Sequence, residues 1–133
     1  MTTRLALLAV CVVTATAGLA TRGLPEPAGD PLGDVLYAAL VAVLFLLASP
    51  GTRPRSAALV ALTACVALEL FQLTPVPQEL SGRWPASRLL LGTTFAAVDL
   101  LWYAAGAAIG ALVGGAVVRL MASPGPSPVR DQT

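Results

Sequence analysis

Histidine and lysine are missing from this 133-residue chain, and charge of either sign is scarce, at 11% of residues against about 25% in a soluble domain. Without histidine there is no imidazole to serve as a general base, and the two cysteines alone do not make a zinc site. Cys11 and Cys65 both fall inside apolar segments and read as small hydrophobes. Leu8 to Cys11 has the outline of a lipobox, but Val10 is too bulky before the cysteine, so lipidation is not expected. A net charge of +1 with no basic cluster leaves no electrostatic footprint for nucleic acid, so neither DNA nor RNA is expected as a partner. No phosphate-cradling loop and no metal-ligating constellation is present, and no cofactor is expected.

What the chain does have is apolar sequence. Hydrophobic residues make up 56% of it and the mean hydropathy is +0.80, a surface that must face lipid rather than water. Four apolar segments stand between Pro, Gly and Arg punctuation: Leu5 to Ala20, Asp34 to Ala48, Ala57 to Leu73 and Thr93 to Val118. The first three are short for a bilayer that takes about 20 helical residues, so their ends should extend into the flanks. The expected fold is all-α, a polytopic membrane protein with four transmembrane helices in residues 1–122 and a disordered Pro- and Ser-rich tail in residues 123–133. The first segment has a second reading as a cleaved signal peptide, with Arg4 ahead of it and the small residues Ala15 to Ala17 near its end.

All eight basic residues are arginine, and with the abundant Ala, Gly and Pro this composition points to a GC-rich bacterial genome. Arginine placement orients the helices. Arg4, Arg53, Arg55, Arg119 and Arg130 fall on one side; Arg22, Arg83 and Arg88 fall on the other with Glu26, Asp30 and Glu79. The first side is expected to be cytoplasmic, with both termini there and the protein in the bacterial inner membrane.

Two carboxylates, Glu69 and Asp99, lie within apolar segments. Each costs roughly 2.5–3.5 kcal/mol at the centre of a membrane helix, so it needs a partner, a wet cavity or a function. At about 1.5 Å rise per residue, Glu69 should lie roughly 6 Å and Asp99 roughly 9 Å below the outer ends of their helices. Asp34 should mark the outer start of the second helix, and Gln72 shares the face of Glu69. The loop from Thr74 to Gly92 carries Arg83, Trp84 and Arg88, and either arginine has the length to reach a carboxylate. Asp99 continues along its helix face through Tyr103, with Trp102 beside it, then Gly106, Gly110 and Gly114. These glycines form overlapping G-x-x-x-G motifs that admit another helix backbone, either within the monomer or at a homodimer seam. The charged group itself has two readings, a buried ion network that fixes helix register or a polar pocket opening outward.

The series Gly33 to Tyr37, Glu69 to Gln72, Arg88 to Gly92, and Asp99 to Tyr103 followed by Gly106 and Gly110 resembles a bacterial family of small four-helix membrane proteins, domain of unknown function 2809. That family is similar to the VanZ-like proteins, and the resemblance covers about Leu5 to Leu120. It implies an envelope role, since VanZ-like members are associated with glycopeptide resistance. In those proteins an Asn follows the aspartate by four residues, where this chain has Tyr103. Chains of this kind are sometimes labelled ribosomal maturation proteins, which this composition does not support.

Three functions therefore compete. The first is a pocket for an envelope lipid or lipid-linked precursor, with Arg83 or Arg88 binding an anionic group and Glu69, Gln72 and Asp99 positioning the arginine. The second is an assembly subunit packing through the glycine face of the fourth helix against a larger membrane partner. The third, an intramembrane enzyme using Glu69 and Asp99 as acid and base, ranks last because no other catalytic group accompanies them.

Overall fold

The computed structural model describes residues 2–25, 29–123 and 125, so Glu26, Arg130 and the expected tail, apart from Ser123 and Gly125, lie outside the described residues. The described chain is all-helical and holds four helices long and apolar enough to cross a membrane. These are α1 (Thr3–Ala20), α2 (Gly29–Ala48), α3 (Pro54–Gln72) and, after two short helices α4 (Val76–Arg83) and α5 (Ser87–Leu91), α6 (Asp99–Ala122). Each of the first three does extend beyond its apolar run, as a bilayer requires.

Local chemistry sets several of these boundaries. The Thr2 side chain caps α1 by accepting from the Leu5 N–H at 3.4 Å. Within α1, the hydroxyls of Thr14 and Thr16 donate to carbonyls one turn back, which satisfies polar atoms in an apolar setting. Pro54 opens α3, where a missing N–H costs nothing.

Small residues decide the packing. α3 turns Ala57, Ala61, Cys65 and Glu69 inward at four-residue spacing, while α2 buries Ala38, Ala39 and Ala42. α6 buries Tyr103, Gly106, Ala107, Gly110, Ala111 and Gly114. Gly106 lies against the Val35 backbone and Gly110 against that of Ala39, so the two helices meet main chain to main chain. A second cluster at the other end of the bundle gathers Leu7, Cys11, Val43, Leu46 and Ala57. The large apolar side chains point the other way, with Leu59, Leu101, Leu112 and Leu120 exposed as lipid-facing residues would be.

Three boundaries differ from the sequence expectation. α6 begins at Asp99, not Thr93. Gly92, in the left-handed region at φ 63°, turns the chain, and the Ala96 N–H is taken by the Glu69 side chain, which holds residues 93–98 outside the helix. Asp99 therefore sits in the first turn, where the helix dipole favours a carboxylate, instead of two turns down. α2 begins at Gly29, which places Asp34 more than one turn inside the helix instead of at its start. The loop expected from Thr74 to Gly92 is largely helical, with Pro75 and Pro77 at the start of α4.

Candidate functional site

One end of the bundle gathers the C-terminal end of α1, the start of α2, the end of α3, α5 and the start of α6. Between them lies a cavity of about 620 Å³. Its lining includes four carboxylates, Asp30, Asp34, Glu69 and Asp99, and two arginines, Arg22 and Arg88. Gln72, Tyr37 and Tyr103 complete the polar wall, with Thr21, Thr93 and Thr94.

Glu69 is the best-held member. It is 1% exposed, since the α3 face that buries Ala61 and Cys65 continues one turn on to it. Tyr103 donates its hydroxyl to Glu69 Oε1 at 3.0 Å, and the Ala96 N–H donates to Oε2 at 3.2 Å. Both carboxylate oxygens thus tie α3 to α6 and to the segment before it. The expected arginine partner is not there: neither Arg83 nor Arg88 bonds to Glu69, and no arginine pairs with a carboxylate among the described residues. A tyrosine hydroxyl and a main-chain N–H, in place of a guanidinium, satisfy both oxygens of the buried carboxyl group.

Gln72 makes a second tie, donating from Nε2 to the Leu91 carbonyl at 2.7 Å. Its Oε1 is buried without a partner. The contact depends on Gly92, because a Cβ there would stand 2.5 Å from Gln72 Nε2. Asp34 and Asp99 line the same cavity as Tyr103. The Tyr37 and Tyr103 rings stand beside them, centroids 6.5 Å apart and tilted by 58°.

Of the residues singled out from sequence, Asp34, Glu69, Gln72, Arg88, Asp99 and Tyr103 come together around this cavity. Arg83 and Trp84 do not line it; they end α4 in exposed positions, Trp84 with 55% of its surface accessible. Gly106, Gly110 and Gly114 run down α6 below the cavity, filled by α2 and by the Leu46 side chain of the same chain. In this structure that face is therefore occupied by α2 of the same chain, which accounts for the glycine spacing without a second copy or a larger partner. Sequence reasoning missed Arg22, which charge placement had put at this end, and Tyr37, which stands three residues after Asp34. It also missed the Ala96 N–H, for which no side chain could give a signal.

A family model described as "Protein of unknown function (DUF2809)" matches residues 24–107. The matched stretch holds every cavity-lining residue except Thr21 and Arg22. No curated protein and no solved structure matches the chain.

Proposed function

We propose that this chain, which belongs to the DUF2809 family, is a multi-pass protein of the bacterial cytoplasmic membrane whose cavity faces outward and takes the polar head of an envelope lipid or lipid-linked precursor. The observation that carries this reading is a head-group-sized cavity at one end of a transmembrane bundle, lined by two arginines free of any carboxylate partner among the described residues. A guanidinium binds an anionic group in a two-pronged geometry. In this role Arg22 and Arg88 hold the anionic part of the head group, and Glu69 acts as a strut that fixes the cavity wall through Tyr103 and Ala96.

The outward orientation rests on the positive-inside rule: Arg4, Arg53, Arg55 and Arg119 belong to the opposite end from Arg22, Arg83 and Arg88. The resemblance to VanZ-like proteins supports the envelope assignment. A role on ribosomes would call for chemistry on the cytoplasmic side, where the described residues offer Arg4, Arg53, Arg55 and Arg119 and no polar cavity comparable to the one at the other end.

Deletion of the gene is expected to change sensitivity to envelope-directed antibiotics and to leave ribosome assembly intact. Wild type restores the trait; Arg88→Gln, accumulating normally in the membrane, does not. A deletion that alters ribosome profiles on a sucrose gradient and no envelope trait contradicts the proposal.

A further inference from the structure

We infer that the head group is zwitterionic, an ammonium joined by a short carbon chain to a phosphate, with Asp34 and Asp99 meeting the ammonium and Arg22 and Arg88 the phosphate. This rests on the head-group reading above and narrows it.

Four carboxylates against two arginines make the lining acidic, so a purely anionic head group would enter against net repulsion. Glu69 is already engaged, whereas the side chains of Asp34 and Asp99 line the cavity without a hydrogen-bond or ion-pair partner among the described residues. Carboxylates gathered on one cavity repel unless a proton or a cation sits with them. No three His, Cys, Asp or Glu side chains converge as a metal site requires among the described residues, which favours an organic cation.

Two further observations point the same way. Gln72 is 9% exposed and lines the cavity, and its Oε1 is a buried acceptor without a donor. An ammonium brings N–H donors for it; a phosphate brings only more acceptors. The Tyr37 and Tyr103 rings line the same cavity, and aromatic π-systems attract ammonium groups. At about 620 Å³ the space falls within the range of about 300–1,000 Å³ usual for small-ligand pockets.

The test is a native mass-spectrometric titration of the full-length protein in detergent micelles. The probes are dioctanoyl phosphatidylethanolamine, its N-acetylated derivative, dioctanoyl phosphatidylglycerol, and water-soluble glycerophosphoethanolamine. The ethanolamine lipid is expected to bind about tenfold more tightly than the glycerol lipid or the N-acetylated one, the scale of one charge-assisted contact. Asp34→Asn and Asp99→Asn should each erase that preference with an unchanged helical circular dichroism spectrum, whereas Arg88→Gln should weaken all three lipids alike. If an Asn variant loses its helical signal, the comparison of the ethanolamine lipid with its N-acetylated form on wild type decides alone.

Equal affinity for those two overturns the zwitterion inference and leaves the anionic head-group reading standing. No measurable binding of any phospholipid to wild type overturns both. Glycerophosphoethanolamine binding as tightly as the lipid supports the ammonium-and-phosphate chemistry and overturns a lipid as its source.

Discussion

Gly106→Ala is the sharpest probe of the packing that builds the site. A Cβ at this position would stand 2.8 Å from both the carbonyl carbon and the Cα of Val35 on α2, where carbon atoms in contact normally keep about 3.5–4.0 Å. The obstacle is backbone, so no side chain can rotate away, and α2 and α6 must part by about 1 Å. Overpacking of this kind costs about 1–3 kcal/mol, offset in part by the gain of up to about 1 kcal/mol from replacing glycine in a helix. The net expectation is a loss of about 1–2 kcal/mol. Gly110→Ala meets Ala39 Cα at 2.6 Å and should cost a similar amount; the double variant should lose less than the sum, since the helices need part only once. Unfolding by sodium dodecyl sulfate in mixed micelles, followed by far-ultraviolet circular dichroism, measures these changes. Gly82→Ala in α4, whose Cβ would meet nothing within 4 Å, serves as the control and should be neutral or stabilising. A Gly106→Ala protein as stable as wild type would refute backbone contact between α2 and α6.

Other consequences concern the cavity wall. Tyr103→Phe strips Glu69 Oε1 of its donor and should cost about 1–3 kcal/mol in the same titration; combined with Glu69→Gln the losses should fall clearly short of additive, whereas Glu69→Gln with Arg83→Gln should add within about 0.5 kcal/mol. Strict additivity of the first pair would mean that the hydroxyl and the carboxylate do not meet. Gly92→Ala combines a left-handed φ of 63° with a Cβ against Gln72 Nε2 and should cost about 1–3 kcal/mol, and a neutral result would remove Gln72 from its bond to Leu91.

The number of spanning helices and six of the residues that gather at the cavity, Asp34, Glu69, Gln72, Arg88, Asp99 and Tyr103, were legible because both are written in side chains. Long apolar runs declare membrane helices, and a carboxylate inside such a run, as at Glu69, stands out against its neighbours. Boundaries were less legible. Thr93 to Val98 are apolar enough to read as helix, but a glycine turn and a main-chain bond to Glu69 divert them, and Asp99 moved from mid-helix to a helix start as a result. Reach also misled: Arg83 and Arg88 both have the length to pair with Glu69, yet Tyr103, one turn below Asp99 on α6, fills that place at shorter range. Length bounds what an arginine touches and does not choose it. The glycine spacing of α6 allowed close approach without naming the partner helix, and only the packing identifies α2.

An envelope role for this protein requires above all a water-filled cavity that opens to the outside of the cell, and thiol labelling in intact cells tests this most directly. Thr94 lines the cavity and is exposed, Thr52 lies in the connection between α2 and α3 at the opposite end, and the native Cys11 and Cys65 are buried at 5% and 0% exposure, which keeps the background low. A membrane-impermeant maleimide should label Thr94→Cys in intact cells and Thr52→Cys only after permeabilisation. The reverse pattern would put the cavity in the cytoplasm and contradict the envelope reading.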